Sequence, residues 1–138
     1  MATLDAALLA LVDAARSIRP RAYAPYSDYR VGAAIRAKDG RVFTGVNVEN
    51  SAFPTGVCAE VNALTTAVAA GAREFDSIAV VTAPKKPGGR PGAPCGNCRQ
   101  ALSEFAPHLV VALATDDDVP VLTTIDALLP DAFTPEDL

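Results

Sequence analysis

The amino-acid sequence predicts an α/β fold: a mixed sheet with helices on both faces. Three observations point to it. Apolar residues recur at spacings of three and four in three stretches, near 4–18, 58–70 and 95–106, as in helices buried along one side. Short runs rich in Val, Ile, Leu and Ala, at 31–37, 41–47, 77–83, 109–114 and 119–123, suit strands. The two kinds of segment alternate after an opening hairpin, in the order α-β-β-α-β-α-β-β-α, so that strands and helices layer on one another.

In the first helix Leu4, Leu8, Leu11, Val12, Ala15 and Ile18 share one face, with Thr3 placed to cap it and Pro20 to end it. The run 19–28 has two prolines and no period, and reads as a loop whose Tyr23 and Tyr26 pack against other parts of the molecule. The strands 31–37 and 41–47 flank Asp39-Gly40, a dipeptide that favours the primed turns of a hairpin. Residues 58–70 carry Val61, Leu64, Ala67 and Val68 among good helix formers and stop at Gly71, which suits a C-terminal cap. A buried strand follows at 77–83. The segment 84–94, rich in Pro, Gly and Lys, reads as a solvated loop. A helix over 95–106 has Pro94 at its first turn, and after it come a strand at 109–114, a turn at 116–118, a strand at 119–123 and a short helix at 125–129. No internal repeat and no linker interrupts the chain, and residues 1–138 read as one domain.

Composition narrows the function. The chain has 138 residues, half of them apolar, enough to bury a core. A net charge of −4 gives no general attraction to a phosphate backbone or an anionic membrane surface, which argues against nucleic acid or membrane as partners. The N-terminus lacks a basic region followed by an apolar one, and no stretch approaches the roughly 18 apolar residues that span a bilayer. The chain therefore reads as cytoplasmic. Three cysteines, an odd number with two of them only three apart, argue against a disulfide framework and suit a reducing compartment.

Those cysteines carry the chemistry. Cys58-Ala59-Glu60 and Pro94-Cys95-Gly96-Asn97-Cys98 form the pattern of a three-thiolate zinc site with a carboxylate beside it. A structural zinc closes all four positions with protein ligands; a catalytic one keeps three and leaves the fourth for water. Both runs fall at helix starts, where backbone N–H groups favour a thiolate, so Cys58, Cys95 and Cys98 are expected as thiolates on one Zn2+ per chain. Glu60, itself not a ligand, is placed to move a proton to and from a metal-bound water.

With these residues in view, the chain resembles the small homotetrameric cytidine deaminases over almost its whole length. The resemblance rests on Ala22-Tyr23-Ala24-Pro25-Tyr26-Ser27, Tyr29-Arg30-Val31-Gly32-Ala33, Gly45-Val46-Asn47-Val48-Glu49-Asn50, the two cysteine runs with Arg99-Gln100, and Leu128-Leu129-Pro130-Asp131-Ala132-Phe133. The Cys-Ala-Glu and Pro-Cys-x-x-Cys signature is that of zinc deaminases generally. The resemblance implies a three-layer cytidine deaminase-like fold with a mixed five-stranded sheet. It also implies hydrolytic replacement of the C4 amine of cytidine or deoxycytidine, in pyrimidine salvage. Glu60 would protonate N3 and then pass a proton to the departing ammonia. By the same resemblance Asn47 and Glu49 bind ribose hydroxyls, Tyr29 lies over the pyrimidine and the Ala59 backbone meets the base edge. Phe133 would reach into a neighbouring subunit's site, giving a homotetramer with shared active sites.

Some positions depart from that pattern. Val61 stands where many relatives have an Arg that donates to the zinc thiolates. Three thiolates on Zn2+ leave a net −1, which opposes ionisation of its water, so something else must compensate: the helix N-termini, Asn62 or Arg99. Tyr29 replaces the more usual Phe and Phe53 the more usual Tyr. Other readings compete. One takes the cysteines as plain buried hydrophobes, and another joins them with His108 in a closed, non-catalytic zinc module. Asn47 and Glu49 at a strand end are by default turn residues, and Lys85, Lys86 and Arg90 by default solvated. The serious rival is deamination of a modified cytosine nucleoside such as blasticidin S. Such deaminases also have an aliphatic residue after Cys-Ala-Glu, but they lack the Glu that this chain keeps at 49. A polynucleotide deaminase is disfavoured by the acidic charge.

Overall fold

In the computed structural model, which describes residues 3–138, the strands β1 (Gly32–Ala37), β2 (Val42–Val46), β3 (Phe75–Val81), β4 (Val110–Ala114) and β5 (Val121–Thr124) form one mixed sheet in the order β2-β1-β3-β4-β5. β3 and β4 run parallel and the other neighbours antiparallel. The helices are α1 (Ala6–Ile18), α2 (Ala59–Ala69), α3 (Gly96–Phe105) and α4 (Ile125–Leu128). This is the order the sequence predicts.

Strand alternation sorts the helices into two outer layers. Ala33 and Ile35 of β1, Ile78 and Val80 of β3, and Val111 and Leu113 of β4 pack with Ala59, Ala63, Leu64 and Ala67 of α2, Leu102 of α3 and Ile125 of α4. The intervening residues, Ala34, Ala79, Val81, Ala112 and Ala114, face Leu11, Val12 and Ala15 of α1. Alanines dominate on that second face, so α1 lies close against the sheet. At Gly32 a Cβ would stand 2.2 Å from the Ala15 carbonyl oxygen, a distance that only glycine permits. Gly45 does the same for α2, where a Cβ would meet the Ala63 nitrogen at 2.3 Å and the Ala59 carbonyl oxygen at 2.6 Å.

Several boundaries differ from the sequence expectation, each for a local reason. Asp5, not Thr3, caps α1, its Oδ1 accepting the Leu8 N–H at 2.9 Å, so Leu4 falls outside the helix. Pro20 sits in a short 3-10 turn, Arg19–Arg21, directly after α1. The β1–β2 hairpin uses a three-residue loop, closed by the Gly40 N–H on the Ala37 carbonyl at 2.9 Å. Only Gly40 there has positive φ (96°), so it is not a primed turn. β3 starts two residues before the expected 77, because Phe75 pairs with Ala37 and packs its ring edge-on to Phe105 at 6.0 Å. β5 starts after Pro120, which has no N–H to give a ladder. The end of α2 matches: Gly71 (φ 96°) donates to the Val68 carbonyl and Ala72 to the Ala67 carbonyl, a Schellman cap. The 84–94 loop is solvated only in part, since Lys85, Lys86 and Arg90 are exposed while Pro91, Gly92 and Pro94 are buried.

Candidate active site

Both cysteine runs stand where helices begin. Cys58 is the N-cap of α2 and Cys95 that of α3, each in extended backbone, and Cys98 lies within the first turn of α3, fully buried. The Cys58 and Cys95 sulfurs are 3.9 Å apart, those of Cys95 and Cys98 3.5 Å, and all three lie within 4.8 Å of one another. A tetrahedral zinc with bonds of about 2.3 Å to sulfur sets sulfurs roughly 3.8 Å apart, so the donor set fits that ion.

Two braces put these helix ends together. Asn62 Oδ1 accepts the Val46 N–H at 3.0 Å, tying α2 to β2 where Gly45 lets the helix close in. Arg99 Nε donates to the Pro94 carbonyl at 2.7 Å and its Nη1 to the Leu128 carbonyl at 2.7 Å, locking the start of α3 to the end of α4. Asn62 and Arg99 are thus engaged with backbone carbonyls and amides. The helix N-termini, which carry Cys58 and Cys95 as their N-caps, are the third candidate to offset the thiolate charge in the absence of an Arg at 61.

The sulfurs compete for protons. Hydrogen bonding from Cys98, and then from Cys95, draws the Cys58 thiol down to about 6 against its burial. The same bond to Cys58 pushes Cys98 up, and burial and the nearby charges of Glu60 and Cys58 add to it. Without a cation, sharing and burial set Cys98 apart from Cys58, and the expected ionisation of all three thiols goes with a cation bound among them. Burial, and next to it the Cys58 charge, raises the Glu60 carboxyl above its ordinary range, while its own backbone amide and Cys98 oppose the shift. Glu60 lies in the first turn of α2 with only 5% of its surface exposed.

A cavity of about 540 Å³ opens over this cluster, walled by Cys58, Ala59, Glu60 and Cys95 at one part and by Asn47, Glu49, Ser27 and Tyr29 at another. Asn47 Oδ1 accepts the Val31 N–H at 2.8 Å and its Nδ2 donates to the Tyr29 carbonyl at 2.8 Å. Glu49 Oε1 accepts from the N–H groups of Tyr26 (2.9 Å) and Ser27 (3.2 Å), and its Oε2 from the Ser27 hydroxyl. That hydroxyl, with the two amides, holds the Glu49 carboxyl below its ordinary 4.5 against the opposing cost of desolvation. The two residues therefore both build the loop, as turn residues do, and face the cavity. Phe133 is exposed, outside the cavity of its own chain, with its carbonyl accepting from Gln100 Nε2 at 3.0 Å.

Sequence reasoning passed over Ser27 and Tyr26, whose backbone and hydroxyl grip Glu49, and over Thr82 and Ala93 in the cavity wall. Tyr26 is half exposed and meets Phe53 edge-on at 6.0 Å. The only signal for them was membership of the quoted runs or their neighbourhood. His108 joins Asp126, Nδ1 to Oδ2 at 2.9 Å, and is not among the sulfurs, so the closed four-ligand module is not formed. Among the described residues no helix is long and apolar enough to cross a membrane.

Comparison with known proteins agrees with this geometry. Residues 7–114 match the family model described as the cytidine and deoxycytidylate deaminase zinc-binding region. The chain is 41% identical over 132 residues to a cytidine deaminase of Sporosarcina psychrophila, covering 93% of this chain and 92% of that one. It is 36% identical over 110 residues to the blasticidin-S deaminase of Bacillus cereus, covering 77% and 78%. Its structure resembles the crystal structure of cytidine deaminase from Burkholderia pseudomallei with a TM-score of 0.84 and 46% identity, covering 91% of this chain and 98% of that one. Sulfur geometry, buried carboxylate and these likenesses agree, and the chain belongs to the cytidine and deoxycytidylate deaminase family, whose cofactor is zinc.

Proposed function

We propose that this chain hydrolyses cytidine and deoxycytidine to uridine and deoxyuridine with release of ammonia, as one catalytic domain in cytoplasmic pyrimidine salvage. The observation that carries the reading is the placement of Glu60, buried two residues from Cys58 in a cavity that also presents Asn47 and Glu49. Bound by the thiolates of Cys58, Cys95 and Cys98, zinc supplies a water acidified towards neutrality. Glu60 takes one proton at its carboxylate, gives it to N3 of the base and carries another to the leaving amine; C4 gains oxygen as its bond to nitrogen breaks. The cavity wall at Ala59 and Tyr29 holds the base in register with that carboxylate. The free N–H of Asn47 and the Glu49 oxygens take the ribose hydroxyls, which rejects a free base because those polar groups would be left unpaired.

The active unit is a homotetramer. Exposed Tyr23, Tyr26, Phe53 and Phe133 form apolar surface that a neighbouring subunit covers, and Phe133 completes the partner's site. Light scattering on the purified protein tests the assembly, and loss of turnover in Phe133→Ala tests the shared site.

Deamination of blasticidin S is the second reading, favoured by the Bacillus cereus relative and by Val61. Glu49, anchored to Tyr26 and Ser27, supports the simple nucleosides instead. Loss of ultraviolet absorbance is followed in parallel on cytidine, deoxycytidine and blasticidin S. Turnover of the two simple nucleosides supports the first reading; turnover of blasticidin S alone replaces it with the second.

A further inference from the structure

We propose that Gly92 is a positioning residue that acts through Tyr29: the missing side chain at 92 makes the notch that seats the Tyr29 hydroxyl, and that seat fixes the ring as a wall of the cavity. A Cβ at 92 would stand 2.3 Å from the Tyr29 hydroxyl oxygen, with Thr82 Oγ1 and Cγ2 next at 3.2 and 3.4 Å. Backbone freedom does not explain the glycine, because Gly92 is not among the residues with positive φ. What the position requires is empty space on the side facing Tyr29.

The notch side of this contact is fixed, and the Tyr29 hydroxyl is the end of a side chain that is 43% exposed, so a methyl at 92 moves the ring rather than the backbone. Gly92 is buried and its N–H donates to Thr82 Oγ1 at 2.7 Å; Thr82 is itself buried and donates to the Ala83 carbonyl at 2.9 Å. On the other side the Tyr29 N–H donates to Ser27 Oγ at 3.0 Å and the Tyr29 carbonyl accepts from Asn47 at 2.8 Å. The next carbonyl, of Arg30, accepts from Arg19 Nε at 2.8 Å. The Tyr29 side chain thus bridges the loop that holds Glu49 to the loop that runs through Ala93 into Cys95. Its ring is a wall of the cavity that Glu49, Ala93 and Cys95 also line.

What this wall contacts rests on the nucleoside reading above; the steric pairing does not. The test is a cycle of wild type, G92A, Y29F and the double variant, read by melting temperature and by KM and kcat for cytidine. The new methyl of G92A should displace the ring, lower the melting temperature and raise KM about tenfold with a smaller change in kcat, as overpacking of a filled contact does. Removing the hydroxyl makes room for the methyl, so the double variant should return to the KM and melting temperature of Y29F. A G92A variant with wild-type KM, or a double variant whose losses simply add, overturns the proposal. If wild type turns over no cytidine, the nucleoside reading fails while the melting cycle still decides the pairing. Should G92A fail to fold, recovery on adding Y29F supports the pairing, and no recovery refutes it.

Discussion

Asn47 Nδ2 donates to the Tyr29 carbonyl at 2.8 Å while Oδ1 of the same amide accepts the Val31 N–H at 2.8 Å. One side chain therefore holds the segment that carries the aromatic wall and leaves a single amide N–H for a ligand. Asn47→Asp keeps the acceptor and sets a carboxylate oxygen against the Tyr29 carbonyl. The expected loss is about 1–3 kcal/mol of stability together with a raised KM for cytidine. Urea denaturation and steady-state kinetics check both, and a change in KM with unchanged stability would mean that Asn47 does not brace the loop.

The Glu49 carboxyl has its folded value depressed by the Ser27 hydroxyl and the amides of Tyr26 and Ser27. A depressed carboxylate contributes its bonds fully above the ordinary value of 4.5 and loses them as pH falls through the folded value. Tight cytidine binding should accordingly persist below pH 4.5 and weaken only at more acid pH, as far as the protein stays folded. Ser27→Ala removes the largest cause of the shift, so the rise in KM should begin at higher pH than in wild type. KM against pH for the two proteins is the measurement; superimposable profiles would contradict the role of Ser27.

Val61 leaves the thiolates without a guanidinium donor, and the side chains of Asn62 and Arg99 are tied to Val46, Pro94 and Leu128. We propose that the N-termini of α2 and α3, where Cys58 and Cys95 stand as N-caps, suffice to offset the excess charge. Val61→Arg should change kcat by less than about tenfold, below the upper range of outer-sphere effects at metal sites. An increase of orders of magnitude would show that the helix ends do not suffice.

What the sequence disclosed follows from where single residues decide structure. The Cys-Ala-Glu and Cys-x-x-Cys runs disclose their sulfur cluster because each thiol sits on a helix start that its own neighbours specify, and Gly71 discloses its Schellman cap for the same local reason. Long-range relations were not legible. Nothing local says that Gly45 admits α2, that Gly92 admits a tyrosine hydroxyl, or that Ser27 reaches Glu49, since each depends on a partner distant in sequence. The cap expected at Thr3 and the start of β3 expected two residues too late have a related cause: two residues could serve locally, and contacts with Leu8 and with Phe105 chose between them.

Cys95 lies at the outer side of the cluster and Cys98 is fully buried. Cys95→Ser should lower zinc content well below one per chain and abolish turnover with the fold retained. Removal of the metal from wild type with a chelator should lower the melting temperature, because an ion that binds only the folded state stabilises it. Metal analysis and thermal melting check this, and a melting temperature indifferent to zinc would contradict binding by all three sulfurs.

The most direct measurement is ammonia release from cytidine by zinc-loaded wild type and by Glu60→Gln, with zinc content determined on both. Gln keeps the shape of the side chain and cannot carry a proton, so the variant should bind one zinc per chain yet lose about 10²–10⁴ in kcat. A variant that keeps both its zinc and its turnover would contradict Glu60 as the proton carrier of this site.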